Sequence, residues 1–302
     1  MKEMIWKKLD EYRAKGKFSR NIDYRIFEMI GENIGIERLA KLIDNQVLIS
    51  SIFESHFIFP SKFLYDFLKD LLQSDSYKTV LDPCINIASP AIYIKPNTIT
   101  GICLTPSDLQ MLNRTFNNSF SLKQGDTFEI LKKDKTSYDL VLSFPPLEYK
   151  IPSYHEKTIH PDFSTSLIFE SSKVLAENGK IVFLVSPNFS SDRKVKELLN
   201  KNGLFVEAVF SIPSGALNPM TGIASNLIVI TKEQQKLTFV SELSENKEIN
   251  KTILKNYKEK KNGKAVQLGM LIDFFDFKSI STLVAEQEME NLLNGLVFLL
   301  IT

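Results

Sequence analysis

The sequence predicts an α/β fold: a doubly wound, mostly parallel seven-stranded sheet with a small helical cap at its amino terminus. Two observations carry this expectation. From about Lys78 onward, short and nearly unbroken apolar runs alternate with stretches of helical periodicity, as parallel strands do when helices cover both faces of the sheet. Before that point, apolar residues recur only at helical spacing. With 302 residues, 43% of them apolar, the chain can bury the core of one large domain with appendages, or of two modest domains.

Each element follows from its pattern. Ile5, Leu9 and Tyr12 mark one helical face, Ile22, Ile26, Phe27 and Ile30 a second, and Ile36 to Leu48 a third, so residues 1–55 read as the helical cap. Strands are expected at Thr79–Leu81, Ile99–Cys103, Tyr138–Ser143, Lys180–Val185, Leu204–Ser211 and Ser225–Ile230. Helices fit between them at Ser107–Asn118, Phe163–Ala176 and Asp192–Asn202. Too few residues separate the last two runs for a helical crossover, so they form an antiparallel hairpin on an otherwise parallel sheet. Residues 56–235 make up this α/β domain. Residues 236–302 form a carboxy-terminal extension, with a strand near Leu237–Leu243, a charged helix over Lys247–Lys261, and a mixed helical and apolar end from Ile280.

Composition narrows the classes of function. Lys and Arg number 37 against 36 Asp and Glu, so the chain as a whole has no electrostatic pull toward nucleic acid, and DNA binding would need a local basic face or a partner subunit. Only Cys84 and Cys103 could pair, which argues against a secreted disulfide framework. The charged start of the chain is not expected to act as a signal peptide, and no window reaches the roughly 18 apolar residues of a membrane span. A cytoplasmic protein with no membrane partner is expected.

In an open parallel sheet, ligands bind beyond the carboxyl ends of the strands. Four such ends carry chemistry: Asp82-Pro83-Cys84, Cys103, Gly125-Asp126-Thr127, and Ser143-Phe144-Pro145-Pro146-Leu147. Taken singly, each has a plain structural reading. Asp82 can cap a strand end, Asp126 can sit in a turn, Pro145 and Pro146 can stiffen a loop, and the two cysteines can be small buried hydrophobes. No metal site is expected. His155 and His160, in the loop after Pro146, are expected to be solvated, and Lys255–Lys264 to be an exposed helix and turn.

In order and spacing these segments resemble the adenine-N6 DNA methyltransferases, in particular the modification subunits of type I restriction-modification systems, which have a Rossmann-like fold and use S-adenosylmethionine (SAM). Asp82-Pro-Cys-Ile-Asn-Ile-Ala88 looks like the family's Asp-Pro-x-Cys-Gly-Ser-Gly loop, and Gly125-Asp-Thr127 like its Gly-Asp-Thr. Phe144-Pro-Pro-Leu147 stands where the family has Asn-Pro-Pro-Phe or Asn-Pro-Pro-Tyr, and Phe57-Ile-Phe59-Pro60 where it has Phe-Tyr-Thr-Pro. Asn178–Pro187, Ile212-Pro-Ser-Gly215 and Thr221-Gly-Ile223 extend the likeness to about residue 235.

The resemblance implies that Phe59, Pro60, Asp82, Pro83, Cys84, Asn86, Ala88, Cys103, Asp126 and Thr127 occupy the cofactor positions, and Phe144, Pro145, Pro146 and Leu147 the catalytic ones. It further implies DNA and a specificity or other restriction-modification subunit as partners. The chemistry at several of these positions departs from the family. Asn86 and Ala88 replace glycines that let the cofactor approach the backbone, and Cys103 replaces the acid that holds the ribose. Phe59 replaces a threonine. Phe144 replaces the asparagine that accepts a hydrogen bond from the target amine, and Leu147 the aromatic that stacks on a flipped base.

The expected protein is therefore a degenerate relative that binds SAM weakly or not at all and serves in DNA binding or assembly. The alternatives are an active methyltransferase with atypical motifs, for which Ser143 is the nearest acceptor, and a binder of some other small ligand in the same crevice. In a degenerate site, Phe59, Ile87, Phe144 and Leu147 should converge and fill the crevice.

Overall fold

The structure is a computed structural model that describes residues 1–15, 24–44, 60–72, 77–93, 98–116, 120–151, 159–217 and 222–301. Three helices come first: α1 (Lys2–Ala14), α2 (Tyr24–Ile34) and α3 (Ile36–Asp44). Ile5, Leu9 and Tyr12 are buried on α1, as their spacing predicts, and pack with Phe27 and Ile30 of α2 and Leu39, Leu42 and Ile43 of α3. The same cluster takes in Ile87 and Ala88, so this small helical unit rests directly on the loop after β1. Ile22 and the 45–59 segment, including Phe57, Ile58 and Phe59, lie outside the described residues.

After α4 (Lys62–Leu72) come β1 (Thr79–Asp82), β2 (Thr98–Cys103), α5 (Pro106–Phe116), β3 (Ser121–Gln124), α6 (Thr127–Lys133) and β4 (Tyr138–Ser143). Then follow α7 (Phe163–Ser172), β5 (Leu175–Val185), α8 (Asn188–Ser191), α9 (Arg193–Lys201), β6 (Phe205–Ile212) and β7 (Ser225–Thr231). The extension adds β8 (Thr238–Glu242), α10 (Lys247–Lys258), β9 (Met270–Ile272) and α11 (Ile280–Ile301). All of the strands join one sheet in the order β3-β2-β1-β4-β5-β7-β6-β8-β9.

Among the described residues the sheet thus has 9 strands rather than seven. The extension continues the sheet: β8 runs parallel to β6, and β9 antiparallel to β8. The hairpin expectation holds for β6 and β7, and β7 is also antiparallel to β5, between which and β6 it is inserted. Because it is flanked on both sides, β7 is buried at all of its seven positions, which is why Ser225–Ile230 reads as a continuous apolar run. The predicted Phe163–Ala176 helix stops at Ser172, and Leu175 already belongs to β5.

Helices cover both faces. On one, α4 and α10 pack over Leu140, Leu142, Val182, Leu184, Phe210 and Val229. On the other, α7 and α9, with the start of α11, pack over Leu81, Val141, Ile181, Phe183 and Ile228. Doubly wound packing of this kind leaves the carboxyl ends of β1, β2 and β4 side by side: β1 lies between β2 and β4, and both are parallel to it. Cys103 ends β2 and Cys84 follows β1, so the two cysteines stand at the carboxyl ends of adjacent parallel strands.

Candidate functional site

Asp82 is the last residue of β1 and Ser143 the last of β4. Both are buried, at 1% and 0% exposure. The Ser143 hydroxyl donates to Asp82 Oδ1 at 2.7 Å, and the Cys84 amide donates to the same oxygen at 3.1 Å. The Ser89 hydroxyl donates to Oδ2 at 2.5 Å. Burial nonetheless outweighs these donors and pushes the Asp82 carboxyl up to about 6. The carboxylate is therefore an internal strut that ties the two strand ends together, with both oxygens occupied.

The loop from Pro83 to Ala91 is closed in the same way. Asn86 Oδ1 accepts from the Ala88 amide at 2.7 Å, and the Tyr65 hydroxyl donates to the Ala88 carbonyl. The Ser89 amide donates to the Asn86 carbonyl at 3.0 Å, while the Ala91 amide donates to Ser89 Oγ at 3.2 Å. Asn86, Ile87, Ala88 and Ser89 are each at most 3% exposed. Among the described residues of this loop none has a positive φ, so Asn86 and Ala88 sit where glycines stand in the resembling loop without backbone strain. The Cys84, Ile85, Ala88, Ser89 and Ala91 amides are thus all paired inside the protein.

Ile85 explains a neighbouring glycine. A β-carbon on Gly101 of β2 would come within 2.6 Å of Ile85 Cδ1, so glycine there admits a loop side chain rather than a ligand. Cys103, at the end of β2, is buried with Ile85, Leu112 and Phe116, and its thiol lies 3.7 Å from the Lys123 carbonyl. Burial pushes that thiol up to about 11 and pushes the Cys84 thiol still higher, so neither is a thiolate near neutral pH.

Asp126 caps α6. Its Oδ1 accepts from the Phe128 amide at 2.8 Å and the Glu129 amide at 3.2 Å. The adjacent Thr127 hydroxyl donates to the Pro83 carbonyl at 2.7 Å and pins the α6 terminus to the loop after β1. Gly125 has φ +144, which a side chain would strain. Both capping bonds of Asp126 fall on one oxygen.

Phe144 is 1% exposed and shares a cluster with Tyr65, Ala91 and the partly buried Leu147, its ring 6.3 Å from that of Tyr65. Pro145 is buried and Pro146 half-buried. The expected convergence of four apolar residues is only partly met. Phe144 and Leu147 belong to one cluster, whereas Ile87 joins the helical cap cluster, where α1–α3 bury it. Phe59 lies outside the described residues, and Pro60 is buried.

The described residues that follow Pro146 make specific contacts. Glu148 takes a left-handed conformation, φ 56, and Lys150 bridges to Asp162. His160 is buried rather than solvated: its Nε2 lies 3.1 Å from Asp192 Oδ2, and its Nδ1 accepts from the Asp162 amide. Since Nδ1 accepts, Nε2 carries the proton and donates. Asp192 also caps α9. Tyr149, 42% exposed, meets Phe163 edge to face, and Phe163 meets Phe128 likewise. Sequence reasoning passed over this aromatic set, although Tyr149 lies only two residues beyond Leu147. His155 is outside the described residues.

A sheet ordered 3-2-1-4-5-7-6 with β7 reversed, and a polar cluster beyond the carboxyl ends of β1, β2 and β4, can be compared with known architectures. The chain superposes with TM-score 0.60 on a protein from a study of assembly and conformational transition in the type I restriction-modification system, at 12% identity over 93% of this chain and 73% of that one. It superposes with TM-score 0.57 on the type I restriction-modification methyltransferase subunit from Streptococcus thermophilus, at 14% identity over 72% of this chain and 56% of that one. A protein from Listeria monocytogenes assigned to the class I SAM-dependent methyltransferases gives TM-score 0.52 at 14% identity, over 65% of this chain and 68% of that one.

This is the fold of the SAM-dependent methyltransferases. Two of these structures come from type I restriction-modification systems. In sequence, the chain is 23% identical over 154 residues to UDP-N-acetylenolpyruvoylglucosamine reductase from Clostridium botulinum, and spans half of that protein. No protein-family model matches the chain. At 23% identity over half of each chain, the reductase match transfers no activity, whereas the superpositions on named methyltransferases cover 72% and 65% of this chain. Among the described residues no helix is long and apolar enough to cross a membrane.

Proposed function

We propose that the protein is a degenerate relative of the adenine-N6 DNA methyltransferases, retained for DNA binding or for assembly with another restriction-modification subunit rather than for methyl transfer. The observation that carries this reading is the Asp82–Ser143 strut beside a buried Phe144. Methyl transfer to an exocyclic amine requires an acceptor that orients the amine and offsets its developing positive charge. A phenyl ring offers no acceptor. Ser143, the nearest alternative, is fully buried with its proton committed to Asp82.

The closed 82–91 loop and the buried Cys103 support weak binding of SAM. Groups that would hold its methionine and ribose ends are paired internally or apolar. Asp126 and Thr127 are the remaining polar residues at the expected cofactor positions, and both already serve α6. A role in assembly draws support from α11, where Met289, Leu292 and Leu293 are more than half exposed, an apolar surface suited to a protein partner.

The reading is tested by incubating the full chain with radiolabelled SAM and duplex DNA containing adenine in varied contexts. No incorporation above background is expected. Incorporation that disappears in Asp126→Ala would establish a working site and overturn the proposal.

A further inference from the structure

At the opposite end of the sheet, toward the amino-terminal ends of β1, β5 and β6, lies a half-open cavity of about 170 Å³. Its walls include Tyr77, Lys180, Glu207, Tyr257, Lys258 and Lys260, and its floor is aliphatic, formed in part by Leu72 and Val182. No part of the Asp82 cluster contributes to it.

The charges around this cavity do not balance. Glu207 is already engaged on both oxygens: the Tyr257 hydroxyl donates to Oε1 at 2.6 Å, and Lys180 Nζ lies 3.5 Å from Oε2. Among the described residues, Lys258 and Lys260 have no ion pair. Lys260 is also held in a left-handed conformation, φ 48. It occupies the position after the α10 cap where glycine or asparagine is favoured, in a closing motif in which the Lys260 amide donates to the Tyr257 carbonyl and the Lys261 amide to the Asn256 carbonyl, both at 3.1 Å. The helix dipole accounts for a cation in the last turn of α10. It does not account for a lysine at the one residue where a side chain strains the backbone, and strain of this kind collects at binding sites.

We propose that this cavity binds a phosphate group, with Lys258 and Lys260 supplying the charge and the Tyr77 and Tyr257 rings walling the rest of the ligand. Two unpaired ammonium groups match a dianion better than a carboxylate, and the small volume suits a phosphate with few further atoms. The source of the phosphate is a small phosphorylated molecule or the backbone of a nucleic acid, and the test separates the two.

The full chain is titrated with inorganic phosphate and, at matched ionic strength, with chloride, while amide resonances of Tyr257–Lys261 are followed by NMR. Saturable shifts with phosphate alone are expected. Lys260→Gly should weaken phosphate binding by about fivefold while leaving Tm unchanged or higher, since glycine relieves the left-handed strain. The Lys258→Gln variant should weaken it similarly. Shifts no larger than those with chloride, or an unchanged affinity in both variants, overturn the proposal. Displacement of phosphate by a short DNA duplex assigns the ligand to a nucleic-acid backbone, and lack of displacement assigns it to a small molecule.

Discussion

The hydroxyl of Ser143 donates to Oδ1 of Asp82 across 2.7 Å, joining the last residue of β4 to the last residue of β1 in a site with almost no solvent contact. Removing it leaves a buried carboxylate oxygen to the Cys84 amide, which donates to it at 3.1 Å. Ser143→Ala should therefore cost about 1–3 kcal/mol of stability at pH 7, the desolvation penalty of a buried group that loses a partner. Urea unfolding measures it, and a loss under about 0.5 kcal/mol would mean that the strut is unimportant.

The same carboxyl makes stability depend on pH. Its folded value, about 6, lies above the ordinary 3.8 because burial disfavours the charged form. Between about pH 4 and pH 6 the folded protein thus holds more proton than the unfolded chain, and stability falls as pH rises through that window, then levels off. The contribution is about 3 kcal/mol in all. Asp82→Asn should remove this fall. Unfolding curves at pH 4.5 and pH 7 for both proteins check it, since other carboxylates contribute equally to each. An unchanged slope would place the titration elsewhere.

Phe144→Asn restores the residue that the resembling motif carries. It also removes a fully buried ring, a change that costs about 3–5 kcal/mol in a core that does not collapse around it. The variant should be markedly less stable and should gain no methyl incorporation into DNA, because the 82–91 loop stays closed. Gain of activity with this single change would show that the cofactor site is intact.

Much of this architecture was legible in the chain, and what was missed has physical causes. Tyr138–Ser143 and Ser225–Ile230 are apolar because two neighbouring strands and two helical layers bury them. β3, Ser121-Leu-Lys-Gln124, shows no apolar run because it is a half-exposed edge, and β9 is a three-residue edge strand. At the site, the loss of an acceptor at Phe144 was readable from one residue. The pairing of Ser143 with Asp82 was not, because it depends on a contact 61 residues apart that no local pattern records. His160 looked like a loop histidine, and only the fold brings Asp192 to it from 32 residues away.

That histidine gives a further test. The hydrogen bonds from the Lys194 amide and from His160 hold the Asp192 carboxyl below its ordinary range despite partial burial. Asp192 therefore adds stability above about pH 4, lost as pH falls through its lowered folded value. Asp192→Ala removes a helix cap worth about 1 kcal/mol together with the His160 contact. It should destabilise more at pH 7 than at acid pH, and hydrogen exchange should rise in the 159–166 segment. Equal destabilisation at both pH values would contradict the assignment.

Calorimetric titration of the full chain with SAM tests the central claim most directly. With Asn86 and Ala88 bonded within their own loop, Cys103 buried and Phe144 in the core, the expected result is no saturable heat, or a dissociation constant weaker than about 10 μM, which is roughly −7 kcal/mol. A constant below about 10 μM that is lost in Asp126→Ala would contradict the account and return the protein to the working methyltransferases.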